Sequence, residues 1–154
     1  MMDQIYFDTS ALAKWYINER DSEKVEAFLR DHGPVAISFL TSVEMRSLLT
    51  RRRKNRDFNP EMEMRIWATF NDDIQRKHLI QLAVSEDVFH TATNVTAMLP
   101  DISLRTLDVL HLAVCLSHDM ERIATADRVI ADSASMLGME VVMFGGIASS
   151  GNRR

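Results

Sequence analysis

Short β-prone apolar runs separated by helix-length amphipathic segments recur along this chain, and that alternation restricts its fold more than any other feature. Residues 4–7, 35–38, 79–82, 122–125 and 140–143 read as strands. The segments between them carry helix signals. Leu12, Trp15 and Tyr16 share one apolar side, and a second helix starting near Ser22 buries Val25, Phe28 and Leu29. It stops at His32-Gly33-Pro34, where a glycine and a proline follow the last turn. A further helix is expected from Thr41, because Thr-Ser-Val-Glu spells a capping box. Asn59-Pro60 restarts a helix with Met62, Ile66, Phe70 and Ile74 in one stripe and Trp67 beside them, so these two segments form a hairpin. Ser85 caps a helix that ends at Pro100, and Asp127 opens one closed by Gly138. Strands joined by helical crossovers imply an α/β fold with three layers: a central, mostly parallel sheet of four to five strands with helices on both faces.

The 154 residues suit one domain over 1–144, with a small, polar tail over 145–154 that is expected to fray. No run approaches the roughly 18 apolar residues of a membrane span. The first residues, MMDQIYFDTS, lack the basic-then-apolar order of a signal peptide, so a cytoplasmic location is expected. Cys115 is the one cysteine, which excludes an internal disulfide and a cysteine-based zinc site. It stands in LHLAVCL and reads as a small core residue. A net charge of −4 argues against wholesale binding to nucleic acid. Arg51, Arg52, Arg53, Lys54 and Arg56 nevertheless form a basic block, a candidate RNA-backbone patch or a solvated helix end.

Ligands of an open parallel sheet bind beyond the carboxyl ends of its strands, near the switch in strand order. Asp8 and Asp127 each follow a strand and belong on that edge. Glu44 lies near the start of the helix after the second strand. Asp108, in LRTLDVLHLA, begins a helix that must run antiparallel to the fourth strand, which returns its N-terminus to the same edge. Singly, Asp8 and Asp127 could be caps, Glu44 the closing member of a capping box and Asp108 a first-turn acid facing the helix dipole. Jointly those roles do not predict four acids on one edge. Carboxylates so close would repel unless a cation offsets them, and oxygen ligands suit Mg²⁺ or Mn²⁺. Such a site can polarise a phosphodiester and activate water. Thr9, Ser10 and Thr125 are placed to bond the carboxylates, water or phosphate.

These motifs resemble those of the PIN-domain family, and among them the VapC-type ribonuclease toxins of toxin–antitoxin pairs, over nearly the whole chain. Asp8, Thr9 and Ser10 in YFDTSAL match the family's first aspartate and its hydroxyl neighbours. Glu44 in TSVEMRSLL, Asp108 in RTLDVLHLA and Asp127 in TADR match its remaining acids. The segment from Asn55 to Gln81 carries no matching motif. The resemblance implies a Mg²⁺- or Mn²⁺-dependent endoribonuclease cutting structured RNA, often a transfer or ribosomal RNA loop. It also implies a small inhibitory antitoxin, homodimerisation, and a part for the helical hairpin in the dimer and antitoxin surface. The competing expectation is a non-catalytic RNA-binding or scaffold protein of the same fold. An aspartate-nucleophile phosphatase would need an acid where Ser10 stands and a lysine near the fourth strand, and has neither.

Arg105, one turn ahead of Asp108, could orient that carboxylate, meet a phosphate or form a structural ion pair. His111 is expected to point away from Asp108, at roughly 100° per residue, as a hydrogen-bonded structural histidine. His32, His78, His90 and His118 share no spacing that suggests zinc.

Overall fold

A computed structural model describes residues 4–145. Most of the expected tail, from residue 146 on, lies outside the described residues. The elements run β1 (Tyr6–Phe7), α1 (Thr9–Tyr16), α2 (Ser22–His32), β2 (Val35–Ser38), α3 (Phe39–Lys54), α4 (Pro60–Gln75) and β3 (Leu79–Leu82). After them come α5 (Glu86–Met98), α6 (Thr106–Ser117), β4 (Arg122–Thr125), α7 (Arg128–Met136) and β5 (Glu140–Met143). The strands form one sheet in the order β3-β2-β1-β4-β5, and every pairing is parallel. The α/β class and the helices on both faces follow the expectation from the alternation.

The side-chain period of a strand explains how one sheet builds two cores. Ile5, Phe7, Val35, Ile37 and Leu79 point to the face covered by α1, α2, α3 and α4, where they meet Leu12, Val25, Met45 and Phe70. Tyr6, Ala36 and Ile123 point to the opposite face and meet α5, α6 and α7 through Val88, Val109, Leu112 and Ile130. Helix α6 is buried continuously from Asp108 to Cys115. Apart from Asp108 and His111 that stretch is wholly apolar, because sheet and helices enclose it. Cys115 is fully buried, as expected of a core residue. Among the described residues no helix is long and apolar enough to cross a membrane.

The strand order reverses between β1 and β4, which pair through Tyr6↔Ile123 and Phe7↔Ala124. That register continues to set Asp8 beside Thr125, at the carboxyl ends where a crevice opens.

The first strand is shorter than the expected 4–7, pairing over Tyr6–Phe7, and a second boundary differs with a consequence for the acids. Helix α3 starts at Phe39, not Thr41. Ser38 ends β2 with extended backbone and caps the helix, and the Thr41 hydroxyl accepts from the Ser38 backbone N–H at 3.3 Å. Ser38 and Thr41 are both plausible caps, three residues apart, and the earlier one wins because Tyr6 Oη holds Ser38 Oγ at 3.0 Å. Glu44 is thereby released from capping and lies a turn further into the helix. Ser38→Ala is expected to lower stability by about 1 kcal/mol, as cap losses do. Urea unfolding should show a lower midpoint at an unchanged slope.

Candidate active site

The four acids reach the same edge by different local devices. Asp8 is the N-cap of α1 and is 1% exposed. Its Oδ1 accepts from Ser10 Oγ at 2.7 Å and from the Ala11 backbone N–H at 3.0 Å, and its Oδ2 accepts from Thr125 Oγ1 at 2.5 Å. Both hydroxyls also accept from the β4–α7 turn: Ser10 Oγ from the Ala126 N–H and Thr125 Oγ1 from the Asp127 N–H, each at 2.9 Å. Ser10 and Thr125 therefore tie the end of β1 to the end of β4. Burial pushes the Asp8 carboxyl above its ordinary range, against the opposing pull of His111 and the bonds from Thr125, Ala11 and Ser10.

Asp127 caps α7, its Oδ1 accepting from the Val129 and Ile130 N–H groups at 2.8 and 3.2 Å. Its Oδ2 faces Arg105 Nη2 at 3.7 Å. Asp108 lies in the first turn of α6, where its Oδ2 accepts from the Arg105 backbone N–H and from Arg105 Nε, both at 3.3 Å. The Arg105 guanidinium thus bridges Asp108 and Asp127. Its side chain is 79% exposed, so it is a hydrated cation that can leave at small cost.

Glu44 Oε1 accepts from Thr9 Oγ1 at 2.8 Å and is bonded by His111 Nε2. His111 Nδ1 meets Tyr6 Oη at 2.6 Å, which completes a buried chain from Ser38 through Tyr6 and His111 to Glu44. Burial pushes the Glu44 carboxyl up, but the His111 and Thr9 bonds and the charge of Arg105 outweigh it and hold the group below its ordinary range. His111 is a buried, hydrogen-bonded histidine whose partners are Tyr6 and Glu44. Sequence reasoning missed that its partner is a site carboxylate. The signal was there: a histidine inside LHLA must find polar partners once buried, and Glu44 is an acid at the same edge.

Asp127 spends Oδ1 on the α7 N-terminus and turns Oδ2 to Arg105, Asp108 meets Arg105 through Oδ2 alone, and Glu44, bonded through Oε1, lines the groove. Among the described residues no three carboxylate, imidazole or thiol groups already surround a common point. Arg105 supplies the positive charge between Asp108 and Asp127 instead. The acids of this edge and the hydroxyls of Thr9, Ser10 and Thr125 that bond Glu44 and Asp8 offer oxygen donors, a set that fits Mg²⁺ or Mn²⁺ rather than a soft ion.

A groove of about 590 Å³ leads away from Thr9, Ser10 and Glu44 between Leu40, Val43 and Leu107, and ends at Arg51 and Arg52. The basic block is divided in its roles. Arg52 pairs with Glu19 at 3.2 Å and Asp57 at 2.5 Å, and Arg53 pairs with Glu63 at 2.5 Å. Arg56 sits in a left-handed turn at φ 64° beside Arg53 and Phe58. Arg51 and Lys54 are exposed and have no carboxylate partner among the described residues.

The profile of the PIN domain matches residues 5–135. Ribonuclease VapC46 from Mycobacterium tuberculosis is 34% identical over 144 residues, covering 92% of this chain and 98% of that protein. Among solved structures, a member of the VapBC family of toxin–antitoxin systems from Mycobacterium tuberculosis, VapBC-5, superposes with a TM-score of 0.63 at 20% identity, covering 92% of this chain and 98% of the other. VapC20 from the same organism, a toxin that cleaves the sarcin–ricin loop, superposes with a TM-score of 0.67 at 15% identity over 84% of this chain and 95% of its own. At those identities the structural likeness speaks for the fold.

Proposed function

Because the chain belongs to the PIN-domain family, with a VapC ribonuclease as a relative over nearly its full length, we propose that it is the endoribonuclease toxin of a toxin–antitoxin pair. Its substrate is RNA, of the transfer or ribosomal RNA loop class, and its reaction is hydrolysis of a phosphodiester bond. The observation that carries this reading is the linked acid edge: Thr125 joins Asp8 to the Asp127 turn, and Arg105 joins Asp127 to Asp108.

Asp8, Asp108 and Asp127, with Glu44 directly or through water, would hold Mg²⁺ or Mn²⁺. When bound, such an ion supplies charge stabilisation for the phosphodiester and lowers the pKa of water. The protein's own part is positioning. Ser10 and Thr125 fix both oxygens of Asp8, so that carboxylate presents one orientation. Thr9 and His111 hold Glu44 Oε1, which turns Oε2 toward water and favours the charged form that can orient or take a proton. Arg105, released from its ion pairs, is placed to meet a phosphate. The shallow groove from Glu44 to Arg51 takes a single strand or a loop, which suits recognition of unpaired bases over a duplex.

The partners on this reading are the RNA, a small cognate antitoxin that covers the acid edge, and a second copy in a homodimer. Incubating the purified chain with total RNA and millimolar Mg²⁺ or Mn²⁺, then sequencing the new RNA ends, tests the activity. Discrete cleavage sites are expected, and intact RNA with either metal would sink the proposal in favour of a binding or scaffold role. Thr125→Val should retain the fold, being nearly isosteric, yet cleave about 10- to 100-fold more slowly, because Asp8 and the Asp127 turn lose their common hydroxyl. An unchanged initial rate would show that the Thr125 bond is not needed to place Asp8.

A further inference from the structure

Helices α3 and α4 enclose a second groove, of about 710 Å³, that the acid edge does not use. Its walls include Val43, Arg46, Ser47, Arg51, Lys54 and Trp67. Val43, Ser47 and Arg51 line this groove and the acid-edge groove alike, so the two adjoin along α3. Glu44 and Arg51 are two helical turns apart on α3, roughly 10 Å, and lie on one face.

The chemistry of this second groove is layered. Phe70 stacks on Trp67 with ring centroids 5.5 Å apart, and the Arg46 guanidinium carbon lies 5.3 Å from the Trp67 ring centroid. Glu63, buried at 8% exposure, holds Arg46 Nη2 at 2.5 Å, and the same nitrogen donates to Thr50 Oγ1 at 3.0 Å. A planar cation backed by an aromatic ring and fixed by two bonds is a ready platform for a base. Glu63 also pairs with Arg53, so one carboxylate offsets two guanidiniums and that platform keeps part of its positive charge. Arg51 and Lys54, by contrast, keep their full charge for an incoming anion. One wall offers a stacking plane and the other two unspent cations, as in grooves that follow single-stranded nucleic acid.

We propose that the α3–α4 groove is a nucleotide subsite. A base of single-stranded RNA stacks on Arg46, and the neighbouring phosphates engage Arg51 and Lys54, while the same strand continues to the acid edge. This rests on the ribonuclease reading for its substrate class but not on cleavage. The groove's lining is largely apolar, but every charged group on it, Arg46, Arg51 and Lys54, is a cation beside the Trp67 ring, and that set favours a polyanion with planar groups.

The test is binding of 3′-labelled octauridylate, and of the matching abasic ribose-phosphate octamer, to Asp8→Asn protein by fluorescence anisotropy over a salt series. In that background Arg51→Ala/Lys54→Ala is expected to weaken octauridylate binding about 10-fold or more. It should also reduce the magnitude of the log–log salt slope by about 1.4, for two phosphates on a single strand. Arg46→Lys keeps the charge and loses the plane. It should abolish the preference for octauridylate over the abasic octamer and leave abasic binding within about two-fold. Unchanged affinity and slope in the double variant, or an unchanged base preference in Arg46→Lys, overturns the subsite. So does failure of the Asp8→Asn protein to bind either octamer. If sedimentation shows that these substitutions dissociate a dimer while RNA binding stays the same, the groove holds a second copy and the proposal fails. Cleavage by the unsubstituted protein is read separately, so loss of the nuclease reading and loss of the subsite are distinguishable.

Discussion

Asp8→Asn and Asp108→Asn are each expected to reduce RNA cleavage by about 10³-fold or more, the size of effect seen when a preorganised group facing the reacting charge is removed. The two should fail for the same chemical reason although their settings differ. Asp108 is held by the Arg105 backbone N–H and Nε through Oδ2, and an amide there keeps one acceptor but loses the charge that draws a cation. Asp8 is enclosed by Ser10, Ala11 and Thr125. An asparagine can still accept from Ser10 and Ala11 while Thr125 turns its hydroxyl. Stability should move the other way for Asp8. Its folded carboxyl is pushed up by burial, so the native state binds protons more readily than the unfolded chain. Stability contributed by this group is therefore present below the unfolded value of about 3.9 and is lost as pH rises through the raised folded value. A neutral amide removes that loss, so the Asp8→Asn protein should melt at least as high as the parent at pH 7 without metal. Cleavage of total RNA and thermal melts on the same preparations check both halves. Either variant retaining growth arrest and cleavage near the parent rate would remove that residue from the active centre.

The fold was legible because its signal is periodic and repeated. Five short β-prone runs alternate with helical stripes, and a parallel sheet covered on both faces is the arrangement that buries them all. The edge to which the acids belong was legible too, since strand direction sends Asp8 and Asp127 to it and the reversal of α6 returns Asp108, whereas three of them around a common point are not found among the described residues. What sequence could not resolve was competition between equivalent local signals. Ser38 and Thr41 both satisfy the rules for a helix cap, and only the Tyr6 hydroxyl, from a neighbouring strand, decides for Ser38. That three-residue-scale choice determines whether Glu44 closes a capping box or reaches Thr9 and His111. The basic block was legible as charge but not as availability. Arg52 and Arg53 are tied to Glu19 far back in the sequence, to Asp57 in the turn after α3 and to Glu63 across the hairpin, and Arg51 and Lys54 are not. Arg105 was legible as a neighbour of Asp108. Its reach to Asp127 depends on the β4–α7 turn lying beside the start of α6, which no local pattern encodes.

Mn²⁺ is expected to stabilise the protein strongly, and Arg105 makes that effect diagnostic. At about 100 times its dissociation constant, an ion that binds only the folded state adds about 2.7 kcal/mol. For a chain of this length that corresponds to a rise in melting temperature of roughly 5–10 °C, continuing with the logarithm of metal concentration. EDTA should reverse it. The acid edge is held together without metal by the Arg105 pairs to Asp108 and Asp127, so metal must displace a cation already present. Arg105→Ala should consequently lower the melting temperature in EDTA, where the carboxylates are left facing one another, and enlarge the Mn²⁺ shift, because nothing has to leave. Asp8→Asn and Asp108→Asn should shrink the shift toward zero. Scanning fluorimetry over micromolar to millimolar Mn²⁺ separates these cases. A shift unaffected by both aspartate substitutions would place the ion elsewhere. A smaller shift in Arg105→Ala than in the parent would mean that the guanidinium helps assemble the site and does not compete for it. The prediction favours competition because the exposed guanidinium lies between two carboxylates that each still have an oxygen to offer, and one small divalent ion satisfies both at shorter range than a planar monovalent cation can.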